Sequence, residues 1–293
     1  MKYAKKAGYV LALALFLILT AGPFLWTFLL SVTPDHAIFS QGSGFWPGEL
    51  IWDNYIELFS GGQRGSRFFA SLLNSLKATG VTLCIGIPAA LLSAYALGRM
   101  EFKGRMLIRD LLLVTMVIPV MATIIPLYRM FAQGEMLDNL FWLSLVYVSS
   151  YLPMAVWLMT NYFATIPREM EEAAFIDGCG RVGSFFRLIL PLSRPIILSV
   201  ALIMFLSTWS QFQIPLILAS SMETKPMAIV ISEFVTKDSV QYGLVAAAGM
   251  LALVPPALAA FIFRKYLVTG MTNGSVKGEL YSLSVNFLIS SAA

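Results

Sequence analysis

The sequence predicts an all-α, polytopic membrane protein with six transmembrane helices and a two-piece helical segment projecting into water. Three observations predict it. Of 293 residues, 58% are hydrophobic. Only 12% are charged, about half of the roughly 25% found in soluble domains. The apolar residues are also gathered into six runs of bilayer-crossing length. So few charges cannot cover so much apolar surface in water, which excludes a soluble enzyme, a nucleic-acid binder and a disordered scaffold.

The six runs are 8–32, 68–97, 111–128, 140–163, 195–221 and 242–263. A helix is required in each, because hydrocarbon offers no partner for an unpaired N–H or C=O. Five runs contain no Asp, Glu, Lys or Arg, and the second contains only Lys77. Lys2, Lys5 and Lys6 before the first run imitate a secretory leader, whose apolar core is normally about 7–15 residues. Here the run continues through Phe24, Leu25, Trp26, Phe28, Leu29 and Leu30, so it reads as an uncleaved span.

Charge sets the orientation. With the N-terminus inside, fourteen Lys and Arg residues fall on the cytoplasmic side and five outside: Arg64, Arg67, Arg129, Lys225 and Lys237. The excess of basic residues predicts that both termini are cytoplasmic. The first outer loop, 33–67, carries Phe45, Trp46, Trp52 and Tyr55, which suit either interfacial anchoring or docking of an external partner. Pro88, Pro119, Pro126, Pro153, Pro215, Pro255 and Pro256 lie inside the runs and bend them. Ala90, Ala94 and Gly98 form a small-residue stripe for close helix contact. Cys84, Cys179 and the lone His36 imply neither a disulfide framework nor a metal site.

The segment after the fourth run carries the functional signal. Pro167 suits the first turn of a helix, and Glu169, Glu171 and Glu172 favour the positive end of its dipole. Ala173, Ala174, Phe175 and Ile176 then form an apolar patch with small residues. Gly178, Gly180 and Gly183 break the rod before a second amphipathic piece, Phe185, Phe186, Leu188 and Ile189, leads into Leu190 and Pro191. The product is a helical elbow of about 30 residues, 164–194, in a chain that otherwise avoids water.

Glu172-Ala173-Ala174, three residues, Gly178, nine residues, then Leu188-x-Leu190-Pro191 resembles the EAA loop of permease subunits of ABC importers, with Leu188 where Ile is usual. Asp177 before Gly178 narrows the resemblance to the carbohydrate, maltose-type branch, and to its six-span partner of the permease heterodimer. Asn74-Ser75, Ile118-Pro119, Ile125-Pro126-Leu127-Tyr128, Trp209-Ser210-Gln211-Phe212, Val254-Pro255-Pro256 and the stretch 265–278 extend the likeness over nearly the whole chain. Ser210-Gln211 departs from the family's usual Asn and acid, and 279–293 runs past the usual ending with a period-two alternation that suits a strand or extended peptide.

The resemblance implies a single permease domain, 1–278, in a bacterial inner membrane. It implies a second permease subunit, two ATPase subunits, an extracytoplasmic solute-binding protein and a sugar substrate. Coupling to the ATPase would run through Glu171, Glu172, Ala173, Ala174, Asp177, Gly178, Leu188, Leu190 and Pro191. No phosphate-cradling G-x-x-x-x-G-K-[ST] sequence occurs, so no cofactor is expected on this chain, no catalysis by it, and ATP would be handled by the partner.

Lys77 lies within a span, where a charge costs roughly 2.5–3.5 kcal/mol; it either snorkels to the interface or faces an aqueous pathway. Ser207, Thr208, Gln211 and Gln213 either line a route for a hydroxyl-rich solute or hydrogen-bond neighbouring helices. The rival readings are a self-contained secondary carrier or channel, and a membrane-embedded enzyme. The first commonly shows repeats and intramembrane acids, and the second needs a reactive cluster at membrane depth; neither signal is visible.

Overall fold

The computed structural model describes residues 2–38, 48–235 and 241–264. Phe45, Trp46, Lys237, the stretch 265–278 and the extension 279–293 lie outside the described residues. The described chain is helical, and no strand element occurs among those residues. In order the helices are α1 (Lys2–Ser31), α2 (Asp35–Ile38), α3 (Asp53–Phe59), α4 (Gln63–Arg99), α5 (Arg105–Val117), α6 (Val120–Gln133), α7 (Leu140–Phe163), α8 (Arg168–Ile176) and α9 (Arg181–Ser184). A π-helical turn (Phe185–Ile189) follows, then α10 (Leu190–Leu192), α11 (Arg194–Trp209), α12 (Gln213–Leu218), α13 (Met227–Glu233) and α14 (Tyr242–Ala252).

Among the described residues four helices are long and apolar enough to cross a bilayer by themselves: Gly8–Ser31 within α1, α4, α7 and Tyr242–Arg264, which continues α14. Two further pairs qualify only when joined: α5 with α6, bent by 96°, and Arg181–Leu192 with α11, bent by 72°. The first bend falls at Ile118-Pro119. Pro119 drives Ile118 out of the helical region, to φ −69° and ψ 119°, as a residue before proline requires. The third apolar run is therefore two rods. The fifth run is divided as well, because α11 ends at Trp209 and α12 begins at Gln213.

The chain divides into two compact units. The first contains 1–74 and 225–255. Here α1 packs along α14, and α3 and α13 also pack on α14. The Ser31 and Tyr55 hydroxyls lie 2.7 Å apart, Asn54 Nδ2 donates to the Ser31 carbonyl at 2.9 Å, and the Gly243 N–H donates to Asp35 at 2.9 Å. Gly243 must lack a side chain, since a Cβ there would sit 2.5 Å from Asn54 Nδ2 and 3.2 Å from the Thr33 carbonyl oxygen. Glu233 joins Arg67 at 2.6 Å and Lys225 at 2.7 Å. Over most of its length α1 has no buried face: the most apolar window of Gly8–Ser31 is 0% buried.

The second unit contains 75–224 and, of the described residues beyond the first unit, 256–264. Its main core joins Ala90, Ala94 and Leu97 of α4 to Ala155, Val156, Met159 and Phe163 of α7 and to Ile196, Val200 and Met204 of α11. The predicted small-residue stripe is the reason these helices approach closely: a Cβ on Gly98 would already lie 3.4 Å from Phe163 Cβ. A second cluster packs Ala78, Phe131, Leu143, Val146 and Tyr147 around Ile214 and Leu218 of α12.

Asp138, at φ 53°, anchors the end of α12. Its Oδ1 accepts from the Ser220 N–H at 2.5 Å, the Ser221 N–H at 2.8 Å and the Thr224 hydroxyl at 2.9 Å, while its own N–H donates to the Leu218 carbonyl at 3.0 Å. Burial pushes this carboxyl up, but the bonds from Ser221, Thr224 and Ser220 outweigh it and hold it below the ordinary value of 3.8. A carboxylate depressed on folding stabilises fully above its unfolded value and loses that contribution as pH falls through its folded value. The 219–224 turn should therefore be protected from amide exchange at neutral pH and should lose that protection as pH falls below 3.8. Asp138→Ala should lose it at neutral pH, at a cost of about 1 kcal/mol given the exposure of the site. Hydrogen exchange read by mass spectrometry on 219–224 checks both outcomes.

Candidate functional site

Helix α8 starts after Pro167, which takes the cap position (φ −57°, ψ 138°) rather than the first helical turn. Glu169 and Glu171 occupy that turn, where carboxylates meet the positive end of the helix dipole. The helix ends in a Schellman arrangement: the Cys179 N–H reaches the Ala174 carbonyl at 2.9 Å, and the Gly178 N–H reaches the Phe175 carbonyl at 3.1 Å. That closure needs a left-handed residue, and Gly178 supplies it at φ 81°. Space does not demand the glycine, since a Cβ would meet nothing within 4 Å. The backbone angle does.

The second arm, α9 through α10, returns to the core. Phe185 and Ile189 are buried with the residues of α4, α7 and α11, and the Phe185 ring lies 4.9 Å from Tyr95. Phe185 faces inward and Phe186, its neighbour on the π-helical turn, faces outward. The elbow therefore has one anchored side and one free side. On the free side, apolar residues face water or a partner: Ile176 is 87% exposed, Val182 72% and Phe186 57%.

The predicted coupling residues separate accordingly. Glu172, Ala173, Asp177, Gly178 and Pro191 are exposed, and Ala174, Leu188 and Leu190 are half-buried. Glu171 stands apart at 8% exposure. Its Oε2 lies 3.2 Å from Arg99 Nε as an ion pair without the alignment of a hydrogen bond, and its Oε1 accepts from the Tyr95 hydroxyl at 3.2 Å. Two adjacent acids thus face different surroundings, since neighbours in a helix point about 100° apart.

A second polar constellation lies at the break between α11 and α12. Ending α11 at Trp209 frees the Ser207 carbonyl from its helical partner, and the Tyr151 hydroxyl of α7 donates to it at 3.0 Å. Gln211 Nε2 donates to the same Tyr151 oxygen at 3.0 Å, while Gln211 Oε1 accepts from the Gln213 N–H at 3.1 Å and so caps α12. Thr208 is buried, with its hydroxyl unbonded, and the Gln213 side chain is exposed. Of the candidate pathway residues, Ser207 and Gln211 are thus brought together by Tyr151, a residue sequence reasoning missed. Lys77 is exposed on α4, in one stripe with Leu73, Gly80, Cys84 and Leu92, away from that cluster's bonds.

The bend between α5 and α6 opens a cavity of about 350 Å³, lined in part by Thr115, Thr123, Ser149, Ser150 and Pro153. Four hydroxyls in an otherwise apolar region can meet a polyhydroxylated solute. Sequence reasoning missed them, although Ser149-Ser150 inside an apolar run was a visible signal. Among the described residues no three His, Cys, Asp or Glu side chains converge as a metal site requires.

Residues 86–273 match the family described as "Binding-protein-dependent transport system inner membrane component". The chain is 29% identical over 276 residues to the trehalose/maltose transport system permease protein of Thermococcus litoralis, covering 94% of this chain and 98% of that one. It is 30% identical over 259 residues to the trehalose transport system permease protein of Mycobacterium tuberculosis, covering 87% and 92%. The fold is similar to that of a bacterial ABC transporter involved in import of the acidic polysaccharide alginate, with a TM-score of 0.77 at 20% identity, over 91% of this chain and 98% of that chain.

Tyr151→Phe should remove the hydroxyl that links the Ser207 carbonyl to Gln211 Nε2, destabilising the purified chain by about 1–3 kcal/mol. Ser149→Ala, at the cavity wall, should change stability by less than about 0.5 kcal/mol. Thermal unfolding in detergent compares the two.

Proposed function

This chain belongs to the family of binding-protein-dependent transport system inner membrane components, and on that premise we propose that it is one permease subunit of an ATP-driven importer of a sugar or oligosaccharide. Its relatives named as sugar permeases support the substrate class. The observation that carries the reading is the elbow: an apolar surface held out by a left-handed glycine at the position where the sequence resembles the EAA loop.

In this proposal the chain crosses the membrane six times with both termini in the cytoplasm, where the excess of Lys and Arg lies. The elbow meets an ATPase through Glu172, Ala173, Asp177 and Gly178 and through the exposed Ile176, Val182 and Phe186. Apolar surface of this kind on a water-facing segment is what a docking partner covers. ATP is bound and hydrolysed by two partner ATPase subunits, and this chain holds no cofactor and performs no chemistry. A second permease completes the path, and an extracytoplasmic solute-binding protein delivers the sugar.

The route for the solute draws on Lys77, Ser207, Thr208, Gln211 and Gln213, joined by the hydroxyls at the α5–α6 bend. A neutral, hydroxyl-rich solute is held by many weak hydrogen bonds, and side chains already bonded to one another can exchange partners with it at little cost. The ATPase-driven motion reaches this region through the elbow and the helices packed on it.

Glu172→Lys and Ile176→Asp should each reduce recovery of the ATPase with the tagged permease by tenfold or more, a loss of at least about 1.4 kcal/mol in binding, without changing the amount inserted in the membrane. Gly178→Val should cost about 1–2 kcal/mol in the strained cap and abolish uptake of the transported sugar in cells. Affinity recovery and membrane immunoblotting read the first two variants, and uptake reads the third. Normal uptake by the Gly178→Val cells would refute the proposal.

A further inference from the structure

We infer that Glu171, Arg99 and Tyr95 form an internal clamp that makes the elbow and the adjoining end of α4 move as one body, and that Glu171 is a positioning residue of transport facing α4. The inference rests on the proposed role of the elbow as the ATPase contact, and it deepens that reading by naming how the motion enters the membrane domain.

Three contacts converge on the last two turns of α4. Arg99 Nε lies 3.2 Å from Glu171 Oε2, with the two side chains only 4% and 10% exposed. Tyr95 donates to Glu171 Oε1 at 3.2 Å. Arg99 Nη2 donates to the carbonyl of Ile166 at 2.8 Å, just ahead of α8. The Tyr95 ring, 4.9 Å from that of Phe185, ties the second arm to the same turn of α4. Both arms of the elbow are therefore held by one face of one helix, where Tyr95 and Arg99 lie four residues apart.

A buried ion pair adds little net stability over a well-packed apolar pair, because both ions must be desolvated. What it adds is direction: removing either partner strands a charge, so the pair tolerates neither sliding nor partial separation. The oily contacts around it, Phe185 and Ile189 against Ala94 and Leu97, permit both. Glu171 and Glu172 then have distinct tasks, one acid binding the elbow inward to α4 and its neighbour presented outward to a partner.

The native cysteines give the test, since Cys84 lies on α4 and Cys179 directly follows the Gly178 cap, and both thiols are free. Spin labels on these two, in the complete transporter with partner cysteines removed, report the distance between α4 and the elbow by double electron–electron resonance. The wild type should show one narrow distance, unchanged between the nucleotide-free and the ATP-plus-vanadate-trapped complex. Glu171→Gln, Arg99→Met and the milder Tyr95→Phe should each lose that single distance, giving a broader distribution that shifts on trapping. The exchanged pair Glu171→Arg with Arg99→Glu should restore it. A wild-type distance that changes on trapping overturns the clamp, as do variants whose distribution matches the wild type. Failure of the ATPase to co-purify with the wild-type permease strikes instead at the proposed role of the elbow. In the permease alone the breadth of the distribution, without the shift on trapping, still separates the variants from the wild type, and variants as narrow as the wild type overturn the clamp.

Discussion

Every feature of this chain depends on the fact that hydrocarbon will not solvate a peptide group. A long helix satisfies its own backbone, and most of the sequence does nothing else. Where the helix is interrupted, the freed groups must be repaired from nearby, and the interruptions show how. At Ile118-Pro119 the Ile118 N–H turns back to the Thr115 carbonyl. At Ser210 to Phe212 a tyrosine from α7 and a glutamine side chain replace the missing helical bonds. Each repair brings polar atoms together where the flanking sequence is oily, which is why the proposed route for the solute draws on the places where the helices break.

The elbow obeys the same rule with water available. Its Schellman closure satisfies the last carbonyls of α8 internally, which leaves the outer surface free to be small and apolar. Its inner surface is committed to α4, α7 and α11 through Phe185, Ile189 and Glu171. A segment built only for solubility would not carry Ile176 and Val182 on its outside, and one built only for burial would not carry Asp177 and Gly178 there.

Much of this was legible in the sequence, for identifiable reasons. Apolar runs, a proline at 119 and residues spaced by four along α4 are local signals, and the bend and the close contact with α7 follow from them. The acid, the small residues and the glycine of the elbow are likewise read from spacing, and the left-handed angle of Gly178 explains that spacing. Other features were not legible. Sequence shows Glu171 and Glu172 as equivalent acids, and only packing against Arg99, some 70 residues distant, separates them. Tyr151 looks like one more aromatic in an apolar run until the end of α11 exposes a carbonyl to it. The division of the fifth run was hidden because Ser210 and Gln211 are uncharged and the apolar run resumes directly after them.

The bare length of α1 carries a different consequence. A leucine gains almost nothing by leaving lipid for protein, since the two are equally dry, so, among the described residues, α1 is held in the first unit mainly where it meets α14 and the Ser31, Asn54 and Tyr55 cluster. It behaves as a mast stepped at one end. Along its bare stretch, shape of contact decides between lipid and protein neighbours, the second permease of the proposal among them. Substitutions that keep this mast greasy should be nearly silent, whereas a change at its footing would let the whole stave swing.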